Sequence, residues 1–94
     1  MSGKVLEGKV ALVTGSSRNM GRAFAEMMGS EGASVAIHYR SESAKAEADE
    51  AASAVKAAGG DADVFQADLT HVKEVEKLFA DVVERFGRLD ILIN

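Results

Sequence analysis

The sequence predicts an α/β fold, a doubly wound parallel sheet covered by helices on both faces. Three observations lead there. Short apolar runs alternate with longer segments of helical period; the first run is apolar at nearly every position; and glycine follows each helical segment. A run that does not alternate marks a strand covered on both sides. Strands separated by helices require right-handed crossovers within a parallel sheet.

The elements follow in order. Lys9–Thr14 (KVALVT) is the first strand. Asn19–Glu31 carries Met20, Phe24, Met27 and Met28 on one apolar face of a helix, and Gly32 is placed to end it in a left-handed cap. Ser34–Tyr39 (SVAIHY) is the second strand. Ser41–Ala58 is a helix whose stripe of Ala44, Ala48, Ala51, Ala52 and Val55 is small enough to lie close to a sheet, and Gly59-Gly60 stops it. Asp63–Ala67 (DVFQA) is a third, shorter strand. His71–Phe86 holds the 3.6 period through Val72, Val75, Leu78, Phe79, Val82, Val83 and Phe86; Thr70 is its expected N-cap and Gly87 its C-terminal cap. Asp90–Asn94 (DILIN) opens a fourth strand. The order β-α-β-α-β-α-β in a Rossmann-type sheet implies the spatial strand order 3-2-1-4, with the first two helices on one face and the third on the other.

Bulk properties narrow the class. The 94 residues allow at most one small domain, which alone would bury roughly 60–65% of its unfolded surface and be marginally stable. A hydrophobic fraction of 47% with 28% charged residues is that of a globular chain. Eleven basic against fifteen acidic residues give a net charge of −4, which offers no electrostatic footprint for nucleic acid or for an anionic membrane. Without cysteine there is neither a disulfide framework nor a thiolate metal site, which fits a cytoplasmic protein. Met1–Gly8 (MSGKVLEG) lacks the apolar core of a secretory signal, and no run is long enough to span a bilayer.

The segment that carries chemistry is Thr14–Gly21, TGSSRNMG. It leaves a buried strand and enters a helix, the setting of a glycine-rich phosphate loop. Such a loop turns its backbone N–H groups toward the ligand and then starts a helix whose N-terminus carries partial positive charge. Gly15 can make the turn with positive φ, and Gly21 lets the helix pack closely. The plain alternative is an ordinary β–α turn that happens to use glycine.

With these residues in place, the sequence resembles the short-chain dehydrogenase/reductase family. LEGKVALVTG (Leu6–Gly15) looks like the family's first strand and loop, and TGSSRNMG is similar to its T-G-x-x-x-G-x-G motif. Asp68-Leu69-Thr70 falls where the family has an aspartate and an apolar residue after strand 3. Asp90–Asn94 looks like the run into its N-N-A-G motif. The resemblance covers essentially the whole chain and implies roles by position. Thr14, Gly15 and Gly21 match the cofactor loop, and Ser17, Arg18, Asn19 and Met20 fill it. Asp68 matches the residue that bonds the adenine amino group, with the Leu69 backbone beside the ring. Asn94 matches the first asparagine of N-N-A-G, whose backbone lies beside the nicotinamide ribose. Read alone, Asp68 is equally a solvated loop carboxylate and Asn94 a polar strand end. One residue departs from the pattern: Asn19 stands where the family has its middle glycine. Asparagine tolerates a left-handed backbone better than other side chains, and its amide can donate to a phosphate.

The choice of nicotinamide dinucleotide turns on the end of strand 2. An NAD site places a carboxylate there for the ribose 2′-OH. That place falls at Tyr39, followed by Arg40 and Ser41, with Arg18 in the loop. Two arginines without the acid suit a 2′-phosphate and favour NADP(H) over NAD(H). Tyr39 packs beside the adenine or simply ends an amphipathic strand. Glu42 is the one carboxylate that a shifted register would bring to a ribose.

No catalytic residue and no metal ligand set can be named. His38 and His71 have no partner at ligand or triad spacing and read as structural, and the lysines of the helices read as solvated. The resemblance implies hydride transfer between nicotinamide and a carbonyl or alcohol, possible substrates being a 3-oxoacyl thioester, a sugar or a small alcohol. It places a serine and a Tyr-x-x-x-Lys pair, which supply the proton, beyond strand 4. The expectation is therefore the N-terminal part of a dinucleotide-binding domain whose parent is more than twice as long and homo-oligomeric, inactive as this chain alone, with exposed apolar surface and an unpaired strand edge. A complete but non-catalytic nucleotide-binding module is the second reading, and another enzyme of this fold, such as a methyltransferase, the third.

Overall fold

The computed structural model describes residues 4–17 and 19–94. The elements are β1 (Val10–Val13), α1 (Asn19–Ser30), β2 (Ser34–Tyr39), a single 3₁₀ turn (Glu42–Ala44), α2 (Lys45–Ala58), β3 (Asp61–Gln66), α3 (Val72–Phe86) and β4 (Ile91–Ile93). All strand pairs are parallel, in the order β3-β2-β1-β4. The sheet is the predicted Rossmann-type arrangement. Its register aligns Val10 with Ser34 and Ser34 with Asp61, so the C-terminal ends of β1, β2 and β3 lie side by side.

The two central strands, β1 and β2, are covered on both faces. Ala11, Val13, Val35, Ile37 and Tyr39 join Ala25, Met28, Ala48, Ala51, Ala52 and Val55 beneath α1 and α2. On the opposite face Val10, Leu12, Ala36 and Ala67 meet Leu78 and Val82 of α3, flanked by Phe65 and Phe86. This is the expected division of helices, and the period of two along each strand sorts its side chains between them. Leu12, Ile37, Val13 and Val35 are fully buried; each such side chain contributes about 1.5–3 kcal/mol by leaving water. Gly59 and Gly87 close α2 and α3 with positive φ, their N–H groups returning to the Lys56 and Val83 carbonyls.

Four expectations need correction. The third strand starts two residues earlier than expected, at Asp61, and is as long as β2 rather than shorter. The second helical segment begins as a 3₁₀ turn, and the regular helix starts at Lys45. In α1 the buried residues are Ala25, Met28 and Gly29, while Met20 and Met27 are 71% and 56% exposed. A Cβ on Gly29 would stand 2.6 Å from Val55 Cγ1. The inner side of α1 is therefore small where α2 lies against it; of its methionines only Met28 is buried, and Met20 and Met27 point outward. At α3 the N-cap position belongs to His71, whose side chain makes no capping bond. Thr70 instead turns back, its N–H and hydroxyl both donating to Asp68 Oδ1 at 3.0 and 2.7 Å. That turn after an aspartate satisfies the threonine locally and removes it as a cap.

The expected uncovered apolar surface is present. Phe79, Val83 and Val72 of α3 and Leu92 of β4 are exposed. Among the described residues β4 pairs only with β1. No helix among them is long and apolar enough to cross a membrane.

Candidate functional site

The loop after β1 is built from the backbone outward. Thr14 leaves the sheet with its N–H donated to the Ile93 carbonyl at 2.9 Å, and its hydroxyl lies 3.3 Å from both Ile93 O and Asn94 Oδ1. Gly15 follows at φ +61, the turn expected of it. Ser16 is fully buried; its hydroxyl donates to the Val13 carbonyl at 2.6 Å and accepts the His38 N–H at 3.0 Å. Asn19 is the one non-glycine with positive φ among the described residues, at +59. The side chain that replaces the expected glycine thus adopts the left-handed backbone a glycine would have used. A Cβ on Gly21 would come to 2.6 Å from the Gly15 carbonyl oxygen and 3.0 Å from Ser16 Cα. Glycine is required here by the loop's own backbone, which folds against the first turn of α1.

An open groove of about 460 Å³ lies over this loop, lined by Gly15, Ser17, Asn19, Met20, Gly21, His38, Tyr39, Arg40, Ser41 and Ala44. Its position at the C-terminal ends of β1 and β2 is where open α/β sheets bind ligands. No carboxylate lines it among the described residues, and the first turn of α1 contains no acid. The free N–H groups and the dipole of that helix end therefore face no competing anion. Tyr39 lines the groove while its body is buried in the cluster under α1 and α2. Glu42 is exposed and stands outside the lining.

Asp68, Leu69 and Asn94 stand outside the groove lining, and Arg40 joins Asp68 to it. Arg40 reaches Asp68 across the β2 and β3 ends, with 3.7 Å between Nη2 and Oδ2, and its carbonyl accepts the Gln66 amide at 2.7 Å. His71 Nε2 lies 3.4 Å from the same Asp68 oxygen. The Thr70 hydrogen bonds hold the Asp68 carboxyl below its usual pKa, and the Arg40 guanidinium adds to this. Asp68 is thus an anchored carboxylate in a ring with Arg40, Thr70 and His71. Leu69 is exposed beside it. Asn94 meets Thr14 at the root of the loop, and neither residue lines the groove. Arg18 lies outside the described residues.

His38 is the lining residue whose part the spacing of the sequence did not show. It is 4% exposed, accepts the Gly15 N–H at 2.9 Å on Nδ1, and sets Nε2 2.9 Å from the Ala67 carbonyl. The available signal was its place inside an otherwise apolar buried strand, where a polar ring must find hydrogen bonds. Among the described residues there is no group of metal-ligating side chains.

Comparison with known proteins agrees with this geometry. The model of the short chain dehydrogenase family matches residues 9–94. A hydroxynaphthalene reductase of Aspergillus fumigatus is 49% identical over 89 residues, which are 95% of this chain and 32% of that protein. The solved structure of a Burkholderia cenocepacia protein described as a dehydrogenase, with bound NADP, superposes with a TM-score of 0.92 at 47% identity, covering 100% of this chain and 36% of that one. An NADH-dependent reductase responsible for alginate metabolism superposes at 0.87 with 36% identity, covering 95% of this chain and 35% of that one. The chain spans about a third of the length of the relatives it matches. A loop that turns at Gly15 against Gly21, a parallel sheet in the order β3-β2-β1-β4, and a family match from Lys9 to the end place this chain in the short-chain dehydrogenase family.

Proposed function

We propose that this chain is the dinucleotide-binding part of an oxidoreductase, that it takes NADP(H) in preference to NAD(H), and that the whole protein interconverts a carbonyl and an alcohol. The observation that carries the preference is the groove lining: Arg40 stands immediately after β2, and among the described residues no carboxylate lines the groove to receive a ribose 2′-hydroxyl. Relatives divide between an NADP-bound structure and an NADH-dependent enzyme, so the preference rests on this chain's own residues.

The residues fit the group. The Gly15–Gly21 contact keeps the loop flat against α1, leaving room for a pyrophosphate above the helix end. Ser17 and Asn19 line that position, and Arg40 with Ser41 lines the end where a 2′-phosphate would lie. Arg40 is 71% exposed on its side chain and its contact with Asp68 is 3.7 Å, so it is free to exchange a loose ion pair for a charge-assisted bond. Asp68, kept ionised by Thr70, suits an amino group of an adenine. When bound, the nicotinamide supplies the hydride. What this chain contributes is orientation of the dinucleotide.

The test is titration of the chain with NADPH and NADH, followed by fluorescence or calorimetry. NADPH is expected to bind more tightly. Arg40→Ala should weaken NADPH by roughly tenfold to a hundredfold, the worth of one bond to a charged group, and leave NADH nearly unchanged. Equal losses for both nucleotides, or tighter NADH binding by the unaltered chain, would falsify the assignment.

A further inference from the structure

We propose that His38 is the positioning residue of the phosphate loop, acting as the neutral imidazole that carries its proton on Nε2. The inference rests on the reading of the groove as a dinucleotide site, and it concerns how that site is held in shape. The two ring nitrogens meet partners of opposite kind. The Gly15 N–H, 2.9 Å from Nδ1, can only donate, so Nδ1 must be bare. The Ala67 carbonyl, 2.9 Å from Nε2, can only accept, so Nε2 must hold the proton. One tautomer satisfies both, and the other would face a donor with a donor and an acceptor with an acceptor.

The backbone of His38 completes the clamp. Its N–H donates to Ser16 Oγ at 3.0 Å, and its carbonyl accepts the Ser16 N–H at 3.1 Å. Gly15 and Ser16 are thus tied to the end of β2 by side chain and main chain together. Their own N–H groups are turned inward and are taken. The donors left for a phosphate are those from Ser17 onward, at the start of α1. The third tie, to Ala67, joins the loop to the residue before Asp68. A single buried ring therefore sets the spacing between the pyrophosphate end of the groove and its Asp68 end.

Two substitutions separate the two ring nitrogens. His38→Asn places an amide oxygen near the position of Nδ1 and keeps an acceptor for Gly15, but is too short to reach Ala67. His38→Gln places an amide N–H near the position of Nε2 and keeps the Ala67 bond, but leaves the Gly15 N–H without its acceptor. The first readout needs no nucleotide. Nitrogen-15 spectra of the imidazole at neutral pH should show a bare Nδ1 and a protonated Nε2. The Gly15 amide resonance should hold its hydrogen-bonded shift in His38→Asn and lose it in His38→Gln. The second readout is NADPH titration: His38→Asn should bind within about threefold of the unaltered chain, and His38→Gln about tenfold or more weakly. A proton on Nδ1, an unmoved Gly15 amide in His38→Gln, or equal NADPH affinity for the two variants overturns the proposal. If the unaltered chain binds neither NADPH nor NADH, the functional reading fails, and the tautomer with the Gly15 shift still decides this one. If His38→Gln does not fold, the tautomer and the Gly15 shift in His38→Asn decide it.

Discussion

Replacing Gly21 by alanine adds one methyl group where the phosphate loop's own backbone already lies. The new Cβ would stand 2.6 Å from the Gly15 carbonyl oxygen, 3.0 Å from Ser16 Cα and 3.1 Å from the Gly15 carbonyl carbon. Reaching an ordinary separation of 3.4 Å requires the Gly15 carbonyl to retreat by about 0.8 Å. No flexible side chain is available to give way, since every atom in contact is backbone. The peptide that must move carries the Ser16 N–H, which donates to the His38 carbonyl at 3.1 Å, and the peptide before it carries the Gly15 N–H, which donates to His38 Nδ1 at 2.9 Å. Overpacking of this kind costs about 1–3 kcal/mol, against a gain of at most ~1 kcal/mol for alanine over glycine in a helix. The net loss of stability is therefore about 0–2 kcal/mol, a modest fall in the urea midpoint. The loss of nucleotide affinity should be larger, about tenfold or more, because the loop is displaced by a sizeable part of a hydrogen-bond length. Urea unfolding followed by circular dichroism reads the first quantity and NADPH titration the second. Affinity within about threefold of the unaltered chain, with an unchanged midpoint, would show that the loop does not depend on this contact.

Asn19→Gly removes a side chain from a residue at φ +59, so stability should hold or rise by a few tenths of a kcal/mol and NADPH affinity should hold or improve. A large fall in affinity would show that the Asn19 amide makes a contact of its own. Asp90 links β4 to β1 by accepting the Val10 N–H at 2.9 Å, and the Arg88 hydrogen bond holds its pKa below the usual 3.8. A carboxyl lowered in the folded chain contributes stability that is complete above the unfolded value and lost as pH falls through the folded one. The stability gap between the unaltered chain and Asp90→Asn, measured by urea unfolding, should therefore be constant from pH 7 to about pH 5 and shrink below 3.8. A gap that widens on acidification would refute the direction of the shift.

The centre of the sheet was legible in the sequence because β1 and β2 are covered on both faces. Ser34–Tyr39 is apolar at most positions and came out with both ends correct, and strand order followed from the alternation with helices. Gly15 and Gly21 were legible for the same kind of reason, since each solves a backbone problem only glycine solves cheaply. The face of α1 was not. Large apolar residues ordinarily mark the core side of a helix, but here Gly29 and Ala25 take much of that place beside Met28, because α1 must come into contact with Val55 of α2. Periodicity reports which residues share a face and is silent on how near the neighbour comes. His38 escaped because its partners are main-chain groups of Gly15 and Ala67, distant in sequence and without a side-chain signature. Thr70 was misassigned because Asp68, two residues earlier, competes for its hydroxyl.

The root of the phosphate loop is shared with the weakest strand. Thr14 gives its N–H to Ile93, and its hydroxyl lies within reach of Ile93 O and Asn94 Oδ1. β4 is three residues long and pairs with β1 alone among the described residues. A strand bonded on one side opens locally more easily than one bonded on both. Opening of β4 would release the Thr14 bonds to Ile93 and Asn94, whereas the His38 bonds to Gly15 and Ser16 are made by β2. The groove thus has one wall fastened to the centre of the sheet and one fastened to its margin. Whatever pairs with or shields the free edge of β4 will, through Thr14, stiffen a binding site that it never touches.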